Sequence, residues 1–201
     1  MARPGRNLTG LTHFEPAMGG KWLALLKEIA PGTARVAFLY NPETASRGAG
    51  SAVYLQSFES FAAKLAVRPV MMPARDATEL RQALDTFAGE PNGAVLVPPD
   101  IFNTMHRAAI VDATARHRLP TIFPYRFYVA EGGLMSYGVN LLDLYRGAAA
   151  FVDRILRGER AAEMPVQQPI KFELIINLKA ANALGLTIPP TLLARADEVI
   201  E

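Results

Sequence analysis

The chain has 201 residues, half of them hydrophobic, so it can bury the core of one large α/β domain or two small lobes. Its 21 basic and 19 acidic residues are scattered and give a net charge of +2, which argues against nucleic acid as a partner. The chain has no cysteine, which excludes disulfides, thiolate metal sites and a cysteine nucleophile.

Short apolar runs bounded by turn residues predict six buried strands. These runs are 35–40, 67–72, 93–97, 121–123, 133–137 and 172–176. Near-continuous apolar strands are typical of a parallel sheet that is covered on both faces.

Apolar residues at helical spacing alternate with these strands, around 22–29, 55–65, 80–87 and 141–156. Asp76 and Glu79 predict a capping box at the start of the third helix, and Gly158 ends the fourth. The alternation predicts an α/β fold with a doubly wound parallel sheet, because right-handed crossovers place helices on both faces.

Polar and aromatic side chains follow four of the predicted strands, at the point where each strand ends. In open α/β sheets, ligands bind outside the carboxyl ends of the strands. A mixture of polar and aromatic groups suits a small ligand with an apolar body and a polar head. The residues placed there are Asn41, Glu43, Ser46, Asp100, Asn103, Tyr125 and Tyr137.

Each of these groups also has a purely structural alternative. The loop 41–51 either offers backbone N–H groups to a carboxylate, or holds an Asn-Pro turn and a helix cap at Ser51. Asp100 either pairs with a ligand amine or caps the next helix. Tyr125 and Tyr137 either stack on a ligand or pack in the core.

The motifs of common enzyme classes are missing from the sequence. His106 and His117 are about 16 Å apart along one predicted helix and cannot share a metal. The surroundings of Ser136 do not form a nucleophile elbow, and no glycine-rich nucleotide loop follows a strand. The sequence therefore predicts a binding protein with no catalytic residues, no metal and no cofactor.

Several segments of the chain resemble one known family, the bacterial ABC transporter substrate-binding proteins related to the tryptophan/tyrosine uptake binding proteins. They are RPGRNLTG at 3–10, LPTIFP at 119–124, EGGLMSYG at 131–138, KFELIINLK at 171–179 and ALGLTIPP at 183–190. The resemblance covers essentially the whole chain. It implies the type I periplasmic-binding fold, in which two Rossmann-like lobes close on a small solute.

The resemblance also implies a place for this chain within such a protein. Residues 1–137 correspond to the C-terminal ligand-binding lobe with its lead-in crossover, and residues 138–201 to a crossover and return segment towards an N-terminal lobe. The N-terminus has no signal-peptide pattern and reads as a cut inside a longer protein. The implied location is periplasmic, or exported and membrane-associated, and the implied partners are a small solute and the subunits of a membrane permease.

By the same resemblance, Asn41, Glu43, Ser46 and Asp100 are the positions expected to touch the solute. The first loop departs from the pattern of amino-acid-binding relatives, which carry more small polar residues after their Asn-Pro. Here that loop has Ala45, Arg47 and Gly48.

Two other functions remain open. The same fold serves as the ligand-sensing domain of regulators, which would carry an additional DNA-binding or signalling module. The other function is that of a flavodoxin-like enzyme, because the loop 41–51 bears a faint similarity to a flavodoxin phosphate loop, or of a small hydrolase.

The predicted helix 141–156 has a wide apolar face. Its members are Leu144, Tyr145, Ala148, Phe151, Val152 and Ile155. Such a face exceeds the patches that monomers usually expose, and self-complementary pairing covers it at low cost. We therefore expect a homodimer in which this helix, with the strand 172–176, contributes to the interface.

Overall fold

A computed structural model describes residues 7–45, 51–169 and 171–201. Seven strands form one sheet in the order β2-β1-β3-β4-β5-β6-β7. They are β1 Arg35–Tyr40, β2 Arg68–Pro73, β3 Gly93–Leu96, β4 Thr121–Phe123, β5 Met135–Val139, β6 Phe172–Asn177 and β7 Glu198–Ile200. The six predicted strands are all present, with ends shifted by at most two residues.

The first five strands are parallel, as predicted. β1 pairs with β2 and β3, β3 pairs with β4, and β4 pairs with β5. β6 departs from the prediction: the backbone N–H of Asn177, its last residue, donates to the carbonyl of Leu134, just before β5, at 2.9 Å. β6 therefore runs opposite to β5, and β7 runs parallel to β6.

The described residues contain ten α-helices. They are α1 Met18–Ile29, α2 Pro42–Ala45, α3 Leu55–Lys64, α4 Ala77–Ala88, α5 Ile101–Met105, α6 Arg107–Arg116, α7 Arg126–Ala130, α8 Leu141–Leu156, α9 Leu178–Ala183 and α10 Pro190–Leu193. The predicted cap of α4 is confirmed, since the Asp76 side chain accepts from the backbone N–H groups of Thr78 and Glu79. None of the described helices is long and apolar enough to span a membrane.

Helices cover both faces of the sheet, which confirms the doubly wound prediction. Alternate residues of β1 point to opposite faces. Phe38 packs against Phe58 of α3, with ring centroids 5.2 Å apart. Leu39 belongs to the core on the other face, with Leu84 of α4 and Ile110 of α6.

The chain divides into two compact units. One comprises Met1–Glu15 and Val139–Phe172, and the other comprises Pro16–Gly138 and Glu173–Glu201. The second unit contains the strands of the sheet up to Gly138 and from Glu173 onwards. The division at residue 138 into a ligand-binding lobe and a crossover and return segment remains a prediction. The assignment of either unit to a lobe of a longer protein remains a prediction.

The first unit contains α8. The N-terminal segment of this unit pairs with the connector that precedes β6. The backbone N–H of Thr12 donates to the carbonyl of Gln167 at 2.9 Å, and the backbone N–H of Gln167 donates to the carbonyl of Gly10 at 3.0 Å. The Thr9 hydroxyl adds a bond to the carbonyl of Met164 at 2.8 Å.

Candidate functional site

The carboxyl ends of β1 and β3 lie side by side because these two strands are neighbours in the sheet. The chain continues from β1 to β2, which lies on one side of this pair of strands. From β3 it continues to β4, which lies on the other side. The point between β1 and β3 is therefore the topological switch point of the sheet, where open α/β folds form a crevice. α2 begins directly after β1, and α5 begins five residues after the end of β3.

Asp100 occupies this switch point and is 8% exposed. Its carboxylate caps α5, because Oδ1 accepts from the backbone N–H of Phe102 at 2.8 Å. The hydroxyl of Thr44, in α2, lies 2.9 Å from Oδ1 and 2.8 Å from Oδ2. A hydroxyl donates only one hydrogen, so the carboxylate keeps unused acceptor capacity.

Asn41 fixes the segment that carries Thr44. Its side-chain Oδ1 accepts from the backbone N–H of Glu43 at 2.8 Å, which starts the turn into α2. Its Nδ2 donates to the carbonyl of Arg75 at 3.3 Å. Asn41 is 5% exposed and therefore positions the loop after β1.

Asn103 is fully buried beneath the same group. Its Nδ2 donates to the carbonyl of Pro98 at 3.0 Å and lies 3.4 Å from the carbonyl of Leu39. Its Oδ1 has no hydrogen-bond partner among the described residues. Asn103 thus joins the ends of β1 and β3 by binding main-chain carbonyls of both segments. This is a structural role, since it holds the two strand ends of the predicted site together.

The two predicted aromatic residues lie further along this edge, after β4 and within β5. Tyr125 is half-buried, and its ring centroid is 5.4 Å from that of Phe127. Tyr137 is also half-buried, and the ammonium of Lys21 lies 5.8 Å from its ring centroid. Burial raises the pKa of Tyr137, and the charge of Asp197 raises it further, so its phenol stays protonated at neutral pH.

The structure thus joins Asn41, Asp100 and Asn103 into one group at the switch point. Glu43 is exposed beside it, and Ser46 lies outside the described residues. Thr44 was missed by the sequence prediction, although its spacing of three residues from Asn41 was a usable signal, since its hydroxyl lies 3.3 Å from the Asn41 carbonyl.

No group of three or more His, Asp or Glu side chains that could hold a metal occurs in residues 7–45, 51–169 and 171–201. The group around Asp100 consists of one carboxylate with amide and hydroxyl groups, and two tyrosines follow further along the same edge of the sheet. Such groups can hold a polar or cationic head by hydrogen bonds while the rings contact an apolar body.

Comparison with solved structures supports the fold. A crystal structure of the ABC domain in complex with L-Trp from Streptococcus pneumonia is 25% identical with a TM-score of 0.86, and the match covers 99% of this chain and 67% of that one. A conserved domain protein from Vibrio cholerae is 28% identical with a TM-score of 0.84, with coverage of 99% and 65%.

A ligand-free, open substrate-binding protein from Clostridium difficile is 22% identical with a TM-score of 0.70, and the match covers 100% of this chain and 65% of that one. At that identity the likeness shows the fold alone. The chain thus spans about two thirds of the length of these three structures.

No curated protein sequence matches the chain significantly. The family model described as ABC transporter substrate binding protein matches residues 1–200. The predicted resemblance is confirmed, and the chain belongs to the ABC transporter substrate binding protein family.

Proposed function

We propose that the chain is a solute-binding component of an ABC importer and that it binds a small organic solute at the carboxyl ends of β1 and β3. The observation that carries this proposal is the hydrogen-bonded group at the switch point, formed by Asn41, Thr44 and Asp100. Family membership supports a solute-binding role rather than an enzymatic one.

The chemistry of the group favours a solute with an amine and a flat apolar body. A carboxylate with unused acceptor capacity attracts an ammonium, and the rings of Tyr125 and Tyr137 offer apolar surface along the same edge. An amino acid or a related carboxylate has this form. The likeness to the Streptococcus structure, whose ligand is L-Trp, supports this class of solute.

We place the protein outside the cytoplasm, in the periplasm or attached to the membrane, where it delivers the solute to the permease subunits of the importer. Membership of the family supports this assignment.

We also propose that this chain pairs with a second copy of itself through α8.

The function is tested by identifying the solute. The protein is purified under native conditions from cells grown in rich medium, and small molecules released on denaturation are identified by mass spectrometry. We expect one amine-bearing organic solute at near-stoichiometric amounts, which calorimetry then shows to rebind without being altered. A released molecule that the protein converts to a product overturns the proposal.

Replacing Asp100 with asparagine tests the role of the carboxylate. Asparagine keeps the shape of the side chain and an oxygen that can accept from Phe102 and Thr44, so we expect the melting temperature to change little. The solute should bind about tenfold or more weakly, because a hydrogen bond to a charged group contributes about 1.5–3 kcal/mol. Calorimetry with the identified solute measures the change.

Asp76→Asn is the matched control, because Asp76 caps α4 in the same way and is not part of the proposed group. It should leave the affinity for the solute unchanged. If Asp100→Asn binds the solute as tightly as the unmodified protein and only its melting temperature falls, Asp100 serves as a helix cap alone.

A further inference from the structure

A cavity of about 230 Å³ lies at the opposite edge of the sheet from Asp100. It touches Thr121, the first residue of β4, Leu134, just before β5, and Asn177, the last residue of β6. Helices α6 and α9 form its side walls, and the turn at Gly132 and Gly133 also lines it.

The reversal of the sheet direction explains why the cavity forms here. β6 runs opposite to β5, so α9 leaves the sheet at the edge where β4 and β5 begin. α6 reaches β4 at that same edge. α9 therefore begins at the edge where α6 ends, and the cavity lies between these two helices.

The walls of the cavity are mostly apolar, and only one of its lining residues is charged. Val111, Leu119 and Leu184 supply much of the apolar surface. The Thr121 hydroxyl is already used, since it donates to the carbonyl of Leu119 at 2.8 Å. The charged residue is Lys179, which forms no ion pair within the described part of the chain.

The size of the cavity limits the occupant. A buried apolar cavity of about 150 Å³ takes up benzene. A cavity of about 230 Å³ therefore has room for one ring together with a small polar group. Lys179 is exposed and lines this cavity, so its side chain can bring an ammonium to a carboxylate bound there, which favours a carboxylate as that group.

We infer that this cavity is a second binding site, independent of the proposed solute site, for a small carboxylate with one aromatic ring or a branched apolar body. The carboxylate pairs with Lys179, and the apolar body lies between α6 and α9.

Benzoate and its neutral analogue benzamide are the probes that test this site. Each is titrated into the isotopically labelled protein, and backbone amide shifts are followed by NMR. We expect benzoate to bind more tightly than benzamide and to shift the amides of Thr114, Gly133 and Ala180. Shifts that cluster instead at Asn41 and Asp100 overturn the inference, and equal affinities for the two probes overturn it as well.

Three variants separate the charge of the site from its shape. Lys179→Gln should weaken benzoate binding at least tenfold and leave benzamide unchanged, because only benzoate loses a charged partner. Ala183→Leu fills the cavity from α9 at an exposed position and should abolish binding of both probes. Lys64→Gln, which removes a charge outside the cavity, should change neither affinity.

The melting temperature of each variant shows that it is folded. Ala115→Leu fills the cavity from α6 and replaces Ala183→Leu if that variant does not fold. Benzoate binding that survives a folded cavity-filling variant contradicts the second site.

Discussion

Replacing Gly138 with alanine is expected to destabilise the protein by about 3 kcal/mol, near the upper end of overpacking costs. A Cβ at this position would lie 1.9 Å from the carbonyl oxygen of Pro124 and 3.0 Å from its carbonyl carbon. Both contacts are to backbone, so no side chain can rotate away, and the segment after β4 must move away from the end of β5.

The displaced segments carry two residues of the proposed site. Tyr125 follows Pro124, and Tyr137 precedes Gly138, so the substitution moves both rings. The main chain at Tyr137 is further held by a hydrogen bond of 2.6 Å from the indole N–H of Trp22 to its carbonyl. We therefore expect Gly138→Ala to lower the solute affinity even at temperatures where the variant is folded.

Calorimetric melting and solute titration measure these two effects, and Gly32→Ala is the matched control. A Cβ at Gly32 meets no heavy atom within 4 Å, so that variant should behave like the unmodified protein. If Gly138→Ala melts at the same temperature as Gly32→Ala, the close approach of the two segments has no energetic consequence and the argument fails.

The group of Asn41, Asp100 and Asn103 at the switch point was predictable because its position depends on strand ends. The apolar runs that become β1 and β3 end at Tyr40 and Leu96, and the polar residues that follow them are visible in the sequence. The capping role of Asp100 was also within reach, because its partner Phe102 is only two residues away. These features rest on local spacing.

The contacts that join distant segments could not be predicted in this way. The bond between Thr44 and Asp100 spans 56 residues, and no local pattern specifies it. The direction of β6 is set by its pairing with Leu134, which is distant in sequence, and an apolar run looks the same in either direction. β7 was missed because it has only three residues, Glu198–Ile200, none of them fully buried.

The face of α8 was predicted only in part. Of the six residues that define it, Phe151 is 6% exposed and lies inward, while Tyr145, Val152 and Ile155 are exposed. Helical spacing identified apolar residues but did not show which of them are covered within the unit. The helix in fact has two apolar sides.

The outward side of α8 has the spacing of a two-stranded helix seam. Its large residues are Leu142, Tyr145, Val152 and Leu156, which are 62%, 74%, 55% and 81% exposed. Together with Ala149 they repeat every three or four residues, which is the pattern that packs two helices side by side. Each large side chain covered on pairing contributes about 1.5–3 kcal/mol.

The charges beside this row favour an antiparallel pair. Arg146 and Asp153 are seven residues apart and flank the row on the same side. When two copies of α8 cross near Ala149 in opposite directions, Arg146 of one copy meets Asp153 of the other. Both side chains are exposed. Within α8, Arg146 pairs with Asp143, and Asp153 pairs with Arg157. Such surface ion pairs are weak, so they can be replaced by pairs between the two copies.

The edge of the sheet at β2 is a poorer surface for pairing. The backbone N–H groups of Arg68 and Ala74 donate to Ala34 and Tyr40, so every second residue of β2 faces β1. Pro69 and Pro73 therefore occupy outward positions, where proline supplies no donor to an added strand. α8 is thus the better candidate for the contact between copies.

We accordingly expect the chain to be a dimer at tens of micromolar, and Tyr145→Glu or Val152→Glu to make it a monomer, because each places a charge within the apolar seam. Met105→Glu alters an apolar residue that is equally exposed on α5, at 75%, and should leave the dimer intact.

Arg146→Glu should weaken the dimer, and the double change with Asp153→Arg should restore it, because the charges are exchanged. Light scattering decides between these outcomes. A monomer at this concentration, or a dimer that Met105→Glu disrupts as readily as Tyr145→Glu, would show that α8 is not the contact between copies.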